Sequence, residues 1–136
     1  MATFVKFQNF VEEVGKGTIQ LHAAGHQLKV YLTNNTPDVA ADAGKADLAG
    51  ITEQNGYSAA DIQNDASETG GTLTVTAVDV EWTATGAVGP FRYAVVYDED
   101  HASDALICYW DYGSSISLAN GEKFKVDFGA SLLTLA

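Results

Sequence analysis

Apolar and charged residues alternate near the C-terminal end of the chain, and this pattern constrains the fold more than any other feature. The segment Lys123–Phe128 (KFKVDF) places its apolar side chains on one face of a strand and its charged side chains on the other. Ser115–Leu118 (SISL) alternates in the same way, and Asn120-Gly121 lies between the two segments. Because Asn-Gly tolerates the backbone angles of a tight two-residue turn, the sequence predicts a β-hairpin here.

Other short segments with strand character recur along the chain. We predict strands at Thr18–His22, Gln27–Thr33, Thr72–Thr83, Phe91–Tyr97, Leu106–Tyr112 and Ser131–Leu135. The apolar positions of Thr72–Thr83 shift by one residue midway, as in a β-bulge or a strand that passes between sheets. Phe91–Tyr97 is apolar on both faces, which is typical of a central strand. With the hairpin, about eight strands predict an all-β fold, a jelly-roll-like antiparallel β-sandwich. At 136 residues, we expect it to form a single domain over residues 1–136.

The N-terminal segment follows a different periodicity. Apolar residues recur at helical spacing from Phe4 through Phe7 to Val14, with Phe10 beside them, and Thr3 can cap the start. This pattern predicts a short amphipathic helix. Its phenylalanines either pack over an open end of the sheet or contact a neighbouring subunit, so Phe4, Phe7 and Phe10 are candidate interface residues.

The segment Val39–Gly71 is rich in small and polar residues, which predicts a long, partly helical loop. A short helix is expected around Lys45–Glu53, and Tyr57 and Ile62 are expected to anchor the loop to the core. Long ordered loops in small domains are commonly functional. Tyr57 and Ile62 are therefore also candidate interface residues, with disorder of the loop as the alternative.

The charge balance decides which partners are compatible with the chain. Eighteen acidic residues oppose seven lysines and arginines, giving a net charge of −11. Nucleic-acid binding depends on basic residues that neutralise phosphates, so neither nucleic acid nor an anionic membrane is an expected partner. The negative electrostatic field of the chain would instead attract a basic protein surface. The N-terminus lacks the pattern of a secretory signal, and no apolar run is long enough to span a membrane.

Two groups of residues are candidate metal sites. The acidic segment Asp98–Asp104 (DEDHASD) offers oxygen ligands for Ca²⁺, but it has no glycine at the position of the sharp turn, and a solvated connection is the expected alternative. His22, His26 and His101 are too scattered to predict a zinc site. The single cysteine, Cys108, lies in an apolar run and is expected to be a buried structural thiol.

Carboxylates near aromatic residues raise the possibility of a glycosidase. Asp79, Glu81 and Asp111 could supply an acid pair, with Trp110 and Tyr112 stacking on a sugar. We favour the alternative that these aromatics form the core and rim of a sandwich. The chain carries no phosphate-binding glycine loop and no nucleophile motif. We therefore expect no enzymatic activity, no catalytic residue, no cofactor and no metal.

Six segments together resemble a known class of proteins. They are Lys6–Glu12, Leu28–Asn34, Glu81–Gly86, Gly89–Val95, Trp110–Gly113 and Asn120–Glu122. In this combination the chain resembles small virion structural proteins of tailed bacteriophages, of the capsid decoration or cement type. The resemblance spans nearly the whole chain except Val39–Gly71.

The resemblance implies a jelly-roll or β-sandwich that is usually trimeric. Such a protein is made in the host cytoplasm, binds the outside of the capsid and clamps adjacent major capsid subunits. No cofactor or active site is implied. Two alternatives stay open: a carbohydrate-binding or adhesion module that uses exposed aromatics, and a tail or neck protein of the same virion class.

Overall fold

The chain folds almost entirely into β-strands. A computed structural model describes residues 2–136. In that range the elements are β1 (Thr3–Lys6), α1 (Gln8–Gly15), β2 (Leu28–Thr33), a 3₁₀ helix (Lys45–Asp47), β3 (Ala60–Asp61), β4 (Asp65–Thr69), β5 (Thr72–Thr76), β6 (Val80–Thr83), β7 (Val88–Asp98), β8 (Leu106–Leu118), β9 (Lys123–Val126) and β10 (Leu133–Leu135). All strand pairs in residues 2–136 are antiparallel, which confirms the predicted all-β class. No helix in this range is long and apolar enough to cross a membrane.

Three sheets share one hydrophobic core. The largest has the strand order β1-β8-β7-β2-β3, the second β10-β5-β4, and the third pairs β6 with β9. Val30 and Val96 of the five-stranded sheet belong to the same buried cluster as Val75 of the second sheet and Trp82 and Val126 of the third. The five-stranded sheet therefore packs against the two smaller sheets, as the sandwich prediction requires.

The five-stranded sheet is also covered on its outer face. A second cluster contains Tyr31, Tyr93, Val95 and Tyr97 from its strands, together with Leu48 from the loop. The Tyr31 hydroxyl donates to the Leu48 carbonyl at 2.7 Å, which ties the loop to the sheet. The alternation of Val95 and Val96 between the two clusters confirms that this central strand is buried on both faces.

The long loop is ordered, but its helix is shorter than predicted. Only Lys45–Asp47 is helical, as one 3₁₀ turn. Leu48, with φ −136° and ψ 82°, already lies outside the helical region. At Gly50 a side chain would lie 2.8 Å from the ring of Tyr31, so the loop lies directly against the sheet there.

The N-terminal segment differs from the prediction. Thr3–Lys6 is a strand at the edge of the large sheet, paired with β8 so that Thr3 lies opposite Asp111. Helix α1 begins only at Gln8, and its N-cap is Phe7 rather than Thr3. The Phe7 N–H donates to the Ile107 carbonyl at 3.0 Å, which continues the strand pairing up to the helix. Pairing with a distant strand thus overrides the local helical pattern.

The predicted hairpin is wrong, although its turn exists. The Glu122 N–H donates to the Ala119 carbonyl across the turn at 3.0 Å. However, β9 pairs with β6, with Trp82 opposite Phe124, and not with β8. Gly121 has a positive φ of 89° and Asn120 does not. A two-residue hairpin needs positive φ at its first central residue, so this turn instead carries the chain to the other layer of the sandwich.

Two further predictions have different outcomes. Thr18–His22 is not a strand, although Ile19 and Leu21 point inward as expected and are buried. The phase shift in Thr72–Thr83 does mark a change of sheet, because β5 and β6 belong to different sheets.

Candidate functional site: an aromatic groove beside an open sheet edge

Four of the five candidate interface residues lie inside the molecule. Phe7, Phe10 and Ile62 have no exposed surface, and Tyr57 is 3% exposed. Tyr57 and Ile62 therefore anchor the loop to the core, as predicted. Phe4 alone among the five presents its side chain to solvent, at 41% exposure. The interface prediction stays a prediction, and in this conformation Phe4 is the residue through which it can operate.

Phe4 belongs to a row of three aromatic rings at the edge of the sandwich. Its ring meets Trp110 edge-on with centroids 5.4 Å apart, and Trp110 meets Phe128 at 5.3 Å. Beside this row lies an open groove of about 400 Å³. Its walls are Ala2, Trp110, Tyr112, Lys125, Asp127, Phe128 and Gly129. We call this site the aromatic groove.

The aromatic groove contains one carboxylate without an ion-pair partner among residues 2–136. Asp127 accepts the Gly129 N–H at 2.8 Å through one oxygen, and no cation in that range lies within 4.0 Å of it. Lys125 instead faces Asp79, with 3.5 Å between Nζ and Oδ2. Burial, and to a lesser extent the charge of Asp127, raises the pKa of Tyr112 to about 12. The groove therefore combines aromatic walls with a free acidic group.

The edge of the large sheet continues beyond the groove without a partner strand. Strand β8 has 13 residues, but β1 pairs only with Cys108–Asp111. On its other side β8 pairs with β7 as far as Leu118, but the register of this pair breaks between Asp111 and Ile116, where a step of two residues along β7 corresponds to a step of five along β8. Within residues 2–136, no strand pairs with Ser114–Ser117 on the β1 side, and Ser114, Ser115 and Ser117 are exposed. We call Ser114–Ser117 the open edge.

The acidic segment considered for Ca²⁺ is held by contacts within the chain. Asp98 is fully buried, and its Oδ2 lies 2.5 Å from His26 Nδ1. Its other oxygen accepts the Asp100 N–H at 3.0 Å, and Asp100 in turn accepts the Gln27 N–H at 2.8 Å. In residues 2–136 no group of three or more His, Cys, Asp or Glu is placed to hold a metal ion. These carboxylates therefore fasten the β7–β8 connection to the segment before β2.

A second histidine contact joins the same connection to the helix. His101 Nε2 lies 2.9 Å from Glu13 Oε2. Glu13 also accepts a short hydrogen bond from the Thr18 hydroxyl, and its pKa is lowered by that bond first and by His101 next. The sequence gives no signal for this pair, because its two members are 88 residues apart.

The carboxylates considered for glycoside hydrolysis are also engaged. Asp111 receives two hydrogen bonds from Arg92, at 2.8 and 3.2 Å, and this guanidinium lowers the pKa of the carboxyl. Asp79 accepts the Phe128 N–H at 2.9 Å. Glu81 of β6 lies diagonally from Lys123 of β9, with 4.0 Å between Oε1 and Nζ. Each carboxylate thus connects neighbouring strands or segments, and sequence proximity to aromatics does not bring them together as an acid pair.

A polar cavity of about 510 Å³ lies at the opposite flank, near His26. Its acidic walls come from Asp61, Asp65 and Asp100. The buried amide of Asn64 is satisfied there, because it donates to the carbonyls of Leu21 and His26 and accepts the Leu28 N–H. The cavity therefore has a satisfied amide at Asn64 and acidic side chains along its wall.

Comparison with protein-family models, with curated proteins and with solved structures finds no match.

Proposed function

We propose that this chain is a structural protein of a tailed-phage virion. It decorates or cements the capsid exterior by binding major capsid subunits, and it acts as a homotrimer. The proposal is supported by the resemblance of its sequence motifs to capsid decoration proteins and by the character of its surface.

The charge of the surface is the observation that carries the proposal. Five of the seven basic side chains form ion pairs with carboxylates: Lys16, Lys29, Arg92, Lys123 and Lys125. A sixth, Lys45, lies over the rings of Tyr31 and Tyr97, with its nitrogen 5.1 and 4.9 Å from their centroids. The excess carboxylates therefore dominate the field outside the protein, and a basic protein surface is the partner that this field attracts.

The shape of the surface suits contact over a wide area. Phe4 and the aromatic groove lie beside one edge of the sandwich, and the open edge extends from them. A closed trimer would present three copies of this surface to a capsid. Once one copy is bound, each further contact becomes effectively intramolecular, so weak individual contacts add up to tight attachment.

Co-sedimentation with virion parts tests this proposal. Purified capsids that lack the protein, and purified tails, are incubated separately with it and pelleted. We expect saturable binding to capsids, at a fixed ratio to the major capsid protein, that weakens as salt concentration rises. Binding to tails alone would contradict the capsid assignment and favour a tail or neck position. Binding to neither would contradict the virion proposal.

A carbohydrate-binding module is the second candidate, and the aromatic groove is the observation that favours it. Trp110 and Tyr112 offer aromatic walls, while Asp127 and Lys125 offer an acceptor and a donor for sugar hydroxyls. A glycan array tests this candidate. Binding that is lost in Trp110→Ala, with folding retained by circular dichroism, would support it, and an array without signal would contradict it.

A further inference from the structure

We propose that a groove between the end of helix α1 and the β4–β5 hairpin holds an apolar side chain of the capsid subunit. A lysine or arginine next to that side chain is held by carboxylates at the rim of the groove. We call this site the aliphatic groove. This inference rests on the proposed function and names a surface through which it operates.

Aliphatic side chains from three parts of the chain line this groove, which has a volume of about 320 Å³. Ile19 and Leu21, from the segment that follows the helix, are buried. Val14 of α1, Ala66 of β4 and Leu73 of β5 are half-buried. Ligand pockets commonly measure about 300–1,000 Å³, so a groove at the lower end of this range suits one or two side chains better than a large ligand.

The groove lies where the second sheet extends beyond the core. Val75 and Leu73 lie on the same face of β5, two residues apart, but Val75 has no exposed surface whereas Leu73 is only half-buried. Leu135 of β10, opposite Leu73 in the register, is also half-buried. The protein thus leaves apolar surface uncovered at this end of the sheet, and a partner side chain would bury it.

The rim of the groove is acidic. Glu68 lies opposite Leu73 in the β4–β5 pair, so the two side chains lie on the same face of the sheet. Asp65 accepts the Ala23 N–H at 3.3 Å, which places this carboxylate beside the segment that lines the groove. Neither Glu68 nor Asp65 forms an ion pair within residues 2–136. A basic residue next to an apolar one therefore complements the groove in charge and in polarity.

The charges of the chain favour a different protein over a second copy as the partner. Six of its seven basic side chains are already engaged, five with carboxylates and Lys45 with two aromatic rings. Lys16, next to the groove wall, is among them, with its nitrogen 3.1 Å from Glu12. A second copy thus has few free cations for the rim, and it would bring a further net charge of −11. A basic capsid segment is attracted by the same field.

Filling the groove tests its role as the site of the apolar side chain. Ala66→Trp places a large side chain in the groove. Ser67→Trp is the matched control, because Ser67 is the next residue of β4, is exposed and points to the opposite face of the sheet. Circular dichroism and thermal unfolding verify that each variant is folded.

Removing one charge tests the role of the rim. Glu68 accepts the Gly71 N–H at 2.6 Å, and Glu68→Gln removes the charge while keeping an oxygen for this contact. Glu53→Gln is the matched control, because Glu53 is also exposed, accepts the Ala59 N–H at 2.6 Å and forms no ion pair within residues 2–136. The two variants change the net charge equally, and neither alters the core, so this pair decides the question even if Ala66→Trp does not fold.

The binding assay is co-sedimentation with capsids that lack the protein. We expect binding to weaken about tenfold or more for Ala66→Trp. At low salt we expect it to weaken about threefold for Glu68→Gln, while both controls bind like the wild-type protein. Equal binding of all folded variants would overturn the assignment of the aliphatic groove and leave the proposed function intact. If the wild-type protein itself does not bind capsids, the proposed function fails, and the assignment with it.

Two further results would also overturn the assignment. Light scattering could show that the wild-type oligomer dissociates in Ala66→Trp, in which case the occupant of the groove is a second copy of this chain. Equal weakening by Glu68→Gln and Glu53→Gln would show that only the net charge of the protein matters, and that no basic residue is held at the rim.

Discussion

Removing a single hydroxyl group from Tyr57 tests whether the long loop is fastened to the core as described. The Leu32 N–H donates to the Tyr57 hydroxyl oxygen at 2.8 Å. Leu32 is fully buried and Tyr57 is 3% exposed, so water cannot replace the lost partner in Tyr57→Phe. The ring itself stays in place, because its edge-on contact with Trp82, at 5.2 Å between centroids, does not involve the hydroxyl.

The expected magnitude follows from this geometry. A buried donor left without an acceptor costs about 1–3 kcal/mol. Phenylalanine fills nearly the same volume as tyrosine, so no cavity adds to this cost. We therefore expect the free energy of unfolding of Tyr57→Phe to fall by about 2 kcal/mol.

Urea unfolding followed by tryptophan fluorescence measures this change. Tyr109→Phe is the matched control, because Tyr109 is half-buried and, within residues 2–136, its hydroxyl forms no side-chain hydrogen bond. The control should remain within about 0.5 kcal/mol of wild type. If Tyr57→Phe is as stable as the control, the buried hydrogen bond does not hold the loop and the reasoning is refuted.

Three further predictions concern the glycines, the cysteine and the acid limit of stability. Gly56→Ala should lower the free energy of unfolding by about 1–3 kcal/mol more than Gly70→Ala. Both positions have positive φ, but only at Gly56 would the new side chain meet the Thr83 carbonyl, and equal unfolding free energies of the two variants would contradict this close approach. Cys108 is fully buried and burial raises its pKa, so a thiol reagent should modify it only after unfolding; rapid labelling of the native protein would contradict this. The pKa of Asp111 is lowered in the folded state, so its contribution to stability is complete above about pH 4 and is lost as pH falls towards its folded pKa. Asp111→Asn should therefore reduce the pH dependence of unfolding below about pH 4, and an unchanged dependence would contradict the role of its ion pair with arginine.

The strands that could be predicted from the sequence are those with a purely local signal. β2 and β7 are rich in apolar, β-branched and aromatic residues along their whole length, and both were placed correctly. The phase shift in Thr72–Thr83 correctly indicates a change of sheet. Side chains alternate between the two faces of a strand, so the apolar residues that face the core cannot shift by one position within a single regular strand.

The N-terminal segment and the hairpin show where local patterns fail. Four residues, Thr3–Lys6, fit a helix and a strand equally well, and the choice is made by pairing with β8 more than 100 residues later. Asn120-Gly121 does form a turn, but the partner of β9 is set by packing with β6 and not by the turn. Local signals thus locate turns and strands without assigning their partners.

The candidate site was only partly accessible to sequence reasoning. The sequence indicates Phe4 as a candidate interface residue and Trp110 as a candidate for stacking on a sugar. The row in which Trp110 lies between Phe4 and Phe128 depends on strand order. The pair His26–Asp98 spans 72 residues, so no spacing rule would find it. Because such contacts arise from the packed fold, the sequence alone indicates the residue types and leaves their combination to the structure.

A cryo-electron microscopy map of virions that carry this protein tests the central claim most directly. We expect density for the sandwich on the outer surface of the capsid, in groups of three. Density at another location in the virion, or single copies in place of groups of three, would contradict the proposed function.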